Sequence, residues 1–467
     1  MTPARSSAKK LRVLCVASEV APFAKTGGLA DVTGSLPAAL GQLGVETLTV
    51  LPRYRGLESV PRKTAPGVTV RFIEHEGYYN RHGLYGNDRG DYADNLSRYS
   101  YLCHEALLLC RSLDWRPDIV HVHDWQTALV PVLLKTKYAG EPCFARTRTL
   151  LTVHNGAYQG IFSARQYPET GLDVDLMGVD GFEFYGKINL LKGGLIFADS
   201  INTVSPGYAR ELLTEEYGTG LDGVYRAKRE RLWGVLNGID TRDWDPSRDK
   251  ALARRYSAED PSGKAACKAE LQDLLGLPPE PETPLLAVVS RLAEQKGLDL
   301  LADAADRLLG GPVQLVVLGD GDAAYRRTFE NIAKRHPRNT AVRIGFDGAL
   351  ARKIYAGCDY FLMPSLFEPC GLGQMIALRY GALPIVRRTG GLADTIVDLD
   401  ADPKKGNGYA FDGRTAESLL AAVGRALKGY MDRRALKRLV VRAMKQDFSW
   451  ERSAREYLAH YKEMLKK

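Results

Sequence analysis

Short apolar runs rich in β-branched residues alternate with helical patterns along most of this chain, and that alternation constrains its fold more than any other feature. "LRVLCVA", "ETLTVLP", "DIVHVHD", "TLLTVHN" and "SINTVSP" neighbour segments such as "TALVPVLLKTKY" and "INLLKGGLIFA". Strands separated by helices in this way pair in parallel, with the helices covering the sheet. The alternation pauses over residues 241–284, where "TRDWDPSRD" and "LPPEPETP" bracket a charged helical stretch. It restarts with "PLLAVVSRL", "VQLVVLGDGD", "AVRIGF", "DYFLMPS", "ALPIVRR" and "GYAF". Between these runs lies "GLDLLADAADRLL", in which Leu301, Ala305 and Leu308 keep helical spacing. The expected class is α/β with two doubly wound, Rossmann-like domains, and 467 residues with 45% apolar content suffice for two cores.

Several function classes fall away on composition. No apolar run approaches the roughly 18 residues of a membrane span, and "LRVLCVA" is too short an apolar region for a secretory signal. Seven cysteines without a CxxC spacing fit neither a disulfide framework nor a cysteine zinc site, and suit a reducing cytoplasm. A net charge of +8 is modest and lies in no long basic block, so nucleic acid is not an expected partner. The charge fits a basic cleft for a small anion or a mildly basic surface equally well.

The hexapeptide "TGGLAD" occurs twice, in "KTGGLADVTG" (residues 25–34) and "RTGGLADTIV" (residues 388–397), each time behind a cation. Both copies sit where a strand should hand over to a helix, at the carboxyl edge where open α/β sheets bind ligands. Glycines let the backbone approach an anion, and free N–H groups with the helix dipole favour negative charge there. Lys25 and Arg388 add full charges beside the turns. For the second copy, a turn that needs glycine only for a positive φ is the competing explanation. "GFEFYGKI" matches GxxxxGK but has Ile188 where a phosphate loop needs a hydroxyl, and no GxGxxG follows the first strand, which disfavours a dinucleotide oxidoreductase. In "HVHD", His123 and Asp124 end a buried strand, where a histidine serves function or a local hydrogen bond. His154 in "TVHNG" ends another strand and should project into a ligand site.

These landmarks, together with "HVHDWQTAL", "TVHNGAYQGIF", "FYGKINLLKGG", "LNGIDTRDWDP", "SRLAEQKGLDLL", "PSLFEPCGLGQMIALRYGALPIVRRTGGLADT" and "DFSWERSAREYLAHY", resemble bacterial glycogen synthases and plant starch synthases over nearly the whole chain. That family consists of retaining glycosyltransferases of the GT-B fold, two Rossmann-like domains facing a deep cleft. The resemblance implies transfer of glucose from ADP-glucose, with UDP-glucose as the alternative donor, to the non-reducing-end 4-hydroxyl of glycogen or another α-1,4-glucan. It implies no cofactor and no metal, because fixed cations stabilise the departing diphosphate. Arg291 and Lys296 match the family's phosphate-binding pair, and Lys25 with the Gly27 and Gly28 backbone is expected to complete the clamp. The same pattern sets His154 and Asn189 against the donor glucose and Asp124 and Glu368 near its hydroxyls. The Cys370, Gly371 and Leu372 backbone falls at glucose and phosphates, and Phe346 on the base. Glu368 as a purely salt-bridged carboxylate is the competing view.

Two positions depart from the family pattern. Gly373 stands where many relatives carry Thr, and Ile376 where other GT-B families have a second glutamate for the ribose. The expected division is a disordered tail over residues 1–10, an acceptor-side domain over 11–241, a nucleotide-sugar domain over 242–449, and a helix over 450–467 that returns to the first domain. In that helix Tyr457, Leu458, Tyr461 and Leu465 form an apolar stripe. Closure on nucleotide is expected, with crossings near residues 238–245 and 447–450. A non-enzymatic two-domain sugar-binding protein has no use for a diphosphate clamp, and a glycoside hydrolase needs a pair of flanking carboxylates that does not stand out.

Overall fold

The computed structural model describes residues 10–466, so the expected tail lies, but for Lys10, outside the described residues. The chain forms two compact units, one running to Gly238 and including the segment from Trp450 onward, the other spanning Ile239–Ser449.

In the first unit eight strands form one sheet. In spatial order they begin at Leu232, Ser200, Arg148, Ile119, Arg12, Glu46, Val68 and Arg62. All neighbours are parallel except the last pair, an antiparallel edge. Strands such as Ile119–His123 are buried on both faces, which is why they read as continuous apolar runs rather than alternating ones. The chain direction across the sheet reverses between the strands that begin at Arg12 and Ile119. In such sheets the gap at the carboxyl ends of those two strands is where ligands bind.

The second unit has six parallel strands that begin, in spatial order, at Thr340, Gln314, Leu285, Tyr360, Leu383 and Tyr409. Numbered along the chain this is 3-2-1-4-5-6, the Rossmann order, with its reversal between the strands starting at Leu285 and Tyr360. The helix Leu298–Leu309 buries Leu301, Ala305 and Leu308, the positions its periodicity marks.

The final helix, Trp450–Met464, packs on the first unit. Trp450, Ala454, Tyr457 and Tyr461 share a core with Val13, Leu36, Leu40, Ile119 and Leu150, while Leu458 is partly buried against it. Leu465 lies past the end of the helix and stays exposed, so the stripe runs through Trp450 and Ala454 instead. Polar contacts fix the register: Asn202 donates to the Tyr457 hydroxyl at 2.8 Å, Tyr461 meets His121 Nδ1 at 2.7 Å, and Ser453 donates to the Leu236 carbonyl at 2.6 Å. Burying two tyrosines here stabilises the unit by about 1.5–3 kcal/mol each.

Among the described residues no helix is long and apolar enough to cross a membrane.

Candidate active site

At the reversal point of the first unit, the chain leaves the strand Arg12–Val16 through Ser18 and Glu19 and reaches the first TGGLAD, whose Gly27 caps the helix Gly28–Gln42. Glu19 is buried and organises the turn. Its Oε2 accepts the N–H of Thr26 at 2.5 Å and of Gly27 at 3.3 Å, and its Oε1 accepts the Thr26 hydroxyl at 2.7 Å and the Tyr85 hydroxyl at 2.5 Å. Neither Gly27 nor Gly28 has a positive φ, and a Cβ at either would meet no protein atom within 4 Å. The fold itself does not require glycine there, so the open space above the helix N-terminus is free for a group that is not protein. Lys25 stands beside it, 52% exposed, with Asp31 at 2.6 Å.

The second copy differs although its letters are the same. Gly390 has φ 42°, and a Cβ on Gly391 would lie 2.2 Å from the Cys370 carbonyl oxygen. Arg388 is paired with Asp412 at 3.0 Å. These glycines serve a packed turn, and each cation beside a TGGLAD copy has one acidic neighbour, Asp31 for Lys25 and Asp412 for Arg388.

Across the same reversal point, Asp124 follows the strand Ile119–His123 and adopts φ 56°, a left-handed conformation that an aspartate holds only when its surroundings impose it. Its Oδ1 accepts the His154 N–H at 2.7 Å. Burial raises its carboxyl to about 7, against the lowering effect of the N–H groups of His154 and Asn155. His154 Nε2 lies 3.0 Å from His123 Nδ1, and His123 Nε2 lies 3.4 Å from Cys15 Sγ. Desolvation pushes His154 down to about 3, so it meets a ligand as a neutral imidazole. His121 and His123 are held neutral by the same cause.

Asn189, which the resemblance sets against the donor glucose, ends the strand Lys187–Asn189. It is fully buried, its Oδ1 caps the helix Leu190–Phe197 through the Lys192 N–H at 2.9 Å, and its Nδ2 donates to Gln159 at 2.6 Å. Its amide therefore fixes the loop after His154 rather than facing open space. Asn237, just beyond the edge strand Leu232–Gly234, is buried with no hydrogen-bond partner for its Oδ1. Glu19 and Asn237 both escape a reading of the sequence. The one signal for each is a polar residue in an apolar run near a strand end, "CVASEV" and "VLNGID".

In the second unit the reversal point holds an ion pair. Arg291 and Lys296 follow the strand Leu285–Val289, while Glu368 follows the strand Tyr360–Met363. Lys296 Nζ donates to Glu368 Oε2 at 2.6 Å, and the Ser365 hydroxyl donates to the same oxygen at 3.0 Å. The two loops are locked together: Gly297 has φ 59°, and a Cβ there would strike the Pro364 carbonyl oxygen at 2.0 Å. Lys296 keeps two further N–H donors for a ligand. Arg291 is exposed, with one contact to Gln295 at 3.1 Å.

Gln374 donates to the carbonyls of Cys370 and Gly371, each at 3.0 Å, and so shapes the Cys370–Leu372 turn ahead of the helix Gly373–Arg379. A Cβ on Gly373 would lie 3.0 Å from the Phe361 ring and 3.4 Å from the Tyr355 hydroxyl, so those rings take up the space a threonine would need. Phe346 follows the strand Thr340–Ile344 and is 97% exposed, which leaves a ring face open to a planar ligand. Asp173 and Asp175 are exposed carboxylates at the start of the single-turn helix Val174–Met177, and among the described residues no group of three or more histidine, cysteine or acidic side chains is arranged to hold a metal ion.

Two doubly wound units, each with its candidate side chains at the strand-order reversal, have the architecture of GT-B glycosyltransferases, and comparison with known proteins places the chain in that class. Residues 12–227 match the starch synthase catalytic domain and residues 276–440 match glycosyl transferases group 1. The chain is 45% identical to glycogen synthase 2 of Geobacter sulfurreducens, over 97% of this chain and 98% of that one. It is 47% identical to a glycogen synthase of an Anaeromyxobacter species, over 97% and 99%. The solved catalytic domain of starch synthase IV from Arabidopsis thaliana, bound to ADP and acarbose, superposes with a TM-score of 0.90 at 36% identity, covering 98% of this chain and 100% of that one. The sucrose-phosphate synthase of Thermosynechococcus elongatus shares the fold at a TM-score of 0.63 and 18% identity. The chain belongs to the glycogen synthase and starch synthase family.

Proposed function

We propose that this transferase moves glucose from ADP-glucose to the 4-hydroxyl at the non-reducing end of an α-1,4-glucan, with retention of configuration and release of ADP. The observation that carries the reading is the Lys296–Glu368 pair, 2.6 Å apart at the reversal point of the second unit. Fixed cations at that place match a leaving diphosphate, and a sugar-binding protein has no use for them.

In the second unit Phe346 stacks on the base, while Arg291, Lys296 and the Cys370–Leu372 turn hold phosphates and sugar. In the first, the N–H groups at the start of the helix Gly28–Gln42 and Lys25 receive negative charge, and His154 and Asp124 hold glucosyl hydroxyls. As the bond between C1 and the phosphate oxygen breaks, its electron pair leaves with ADP, and the cations stabilise that charge more than they stabilise the ground state. The acceptor oxygen attacks C1 from the same face, and its proton passes to an oxygen of the departing diphosphate. Neutral His154 donates or accepts a hydrogen bond without adding charge beside the oxocarbenium-like sugar. No divalent ion is needed for a charge that arginine and lysine already neutralise. Seven free cysteines suit a reducing cytoplasm as the place of synthesis.

Incubation with glycogen and either ADP-glucose or UDP-glucose, with nucleotide release as the readout, tests the reading. Faster release from ADP-glucose that depends on glycogen is expected. Release only from UDP-glucose overturns the donor, and release independent of glycogen overturns the transfer.

A further inference from the structure

A polar row crosses one face of the first unit's sheet, where apolar side chains are the rule. Cys15 neighbours His121 in register, His123 neighbours Thr152, and Thr152 neighbours Asn202, so these side chains share a face. All five are buried. Buried polar groups persist when their hydrogen bonds are made, and a connected set of them fixes which atom donates and which accepts. The row has two branches. In the first, Thr152 donates its hydroxyl proton to Asn202 Oδ1, so its oxygen is left to accept from His121 Nε2 at 2.6 Å, and His121 Nδ1 accepts from the Tyr461 hydroxyl at 2.7 Å. That branch ends on the final helix and serves to seat it.

The second branch makes no hydrogen bond to that helix. It runs from Cys15 Sγ to His123 Nε2 at 3.4 Å and from His123 Nδ1 to His154 Nε2 at 3.0 Å. It ends at His154 Nδ1, which has no hydrogen-bond partner among the described residues. A neutral imidazole has one donor and one acceptor, so the protons along this branch all point one way or all the other. In one arrangement the thiol donates to His123 Nε2, His123 Nδ1–H donates to His154 Nε2, and the proton of His154 sits on Nδ1. In the reverse arrangement His123 Nε2–H points at sulfur, a weak acceptor, and the thiol proton has no other acceptor among the described residues. Burial pushes the Cys15 thiol up to about 12, so it keeps its proton and the first arrangement prevails.

We propose that Cys15 and His123 are positioning residues that hold His154 in its Nδ1–H form, so that this imidazole donates, and does not accept, the hydrogen bond to a sugar hydroxyl. Which ring nitrogen carries the proton is set by the bond the other nitrogen makes, and here that bond leads back to a thiol two strands away. A free histidine side chain in water favours the Nε2–H form, so the branch reverses the ordinary preference. The inference rests on the reading of His154 as a contact to the donor glucose and adds the direction of that contact: the substrate oxygen offers a lone pair to His154 and sends its own proton elsewhere.

The test reads the ring nitrogens of His154 by NMR in ¹⁵N-histidine-labelled protein, with its signals assigned by their loss in His154→Gln. Wild type is expected to show a protonated Nδ1 and a bare Nε2. Cys15→Ala, which removes the thiol proton and little volume, is expected to let the Nε2–H form appear at His154. It should also lower kcat/KM for ADP-glucose by about tenfold, the scale of one hydrogen bond, with KM for glycogen unchanged. His123→Leu is expected to act in the same way, whereas His123→Asn, whose amide N–H stands in for Nδ1–H, keeps the Nδ1–H form and most of the activity. A wild-type His154 that carries its proton on Nε2 overturns the proposal. So do variants that melt at a lower temperature while the His154 proton and the donor kinetics stay as in wild type, since the branch then serves packing alone, and so does a proton that moves with no change in donor kinetics. A protein whose variants move the proton as expected but which transfers no glucose in any form overturns the proposed function and leaves the hold on His154 standing.

Discussion

Replacing Lys296 by methionine separates the structural from the chemical role of the ion pair at the second unit's reversal point. The Lys296 and Glu368 side chains are only 17% and 8% exposed and meet at 2.6 Å, so removing the ammonium leaves a buried carboxylate with the Ser365 hydroxyl as its remaining side-chain partner. Breaking a buried pair from one side costs about 3–5 kcal/mol, and the partial exposure of Lys296 puts the expected loss near the lower end. Loss of a cation that acts mainly on the departing diphosphate costs a further 2–4 kcal/mol or so in transition-state stabilisation, roughly 30-fold to 10³-fold in kcat/KM. The double variant Lys296→Met with Glu368→Gln removes the orphaned charge. It should recover most of the stability in urea unfolding while its kcat/KM stays at or below that of the single variant. Recovery of activity together with stability refutes the argument, because the pair would then be a packing device alone.

Three further outcomes follow from the geometry. Gly27→Ala should cost under about 1 kcal/mol of stability, since its methyl enters open space, yet lower turnover by closing the approach to the helix N-terminus; Gly391→Ala should destabilise by about 1–3 kcal/mol, since its methyl meets the Cys370 carbonyl. Equal stability losses at the two sites in chemical unfolding would mean that the identical motifs share one role. The neutral His121, His123 and His154 take up protons on unfolding below about pH 6.5, so the stability they lend above that pH is lost as pH falls further, whereas the raised Asp124 carboxyl lends stability below about pH 4 that is lost as pH rises through about 7. Three groups outweigh one, and the first unit should unfold at lower urea at pH 5 than at pH 7.5; equal or greater resistance at pH 5 would show that the imidazoles are solvated. Activity should persist in excess EDTA, and loss on chelation that Mg²⁺ or Mn²⁺ restores would remove the cation clamp as the charge stabiliser.

The two doubly wound units were legible because fully buried parallel strands leave unbroken apolar runs, and the residues that end them, such as Asp124 and His154, can be counted off directly. What a strand-end residue does there was less accessible. The left-handed backbone at Asp124 and its raised carboxyl arise from elements far apart in the chain. The two copies of TGGLAD make the limit concrete: six identical residues form an open turn in one place and a packed one in the other, because the Cys370 carbonyl that crowds Gly391 comes from a different loop. The helix cap that Asn189 supplies was not legible, since capping depends on where its side chain turns. Glu19 was not legible, because only its hydrogen bonds to Thr26 and Gly27 show it holding the turn.

The central claim, transfer of glucose onto the non-reducing end of an α-1,4-glucan with retention, is tested most directly by labelled product. Glycogen extended from ADP-[¹⁴C]glucose should release its label as maltose on digestion with β-amylase, which cuts α-1,4 bonds from non-reducing ends. Label recovered as free glucose without incorporation, or incorporated in a form that β-amylase leaves untouched, would contradict it.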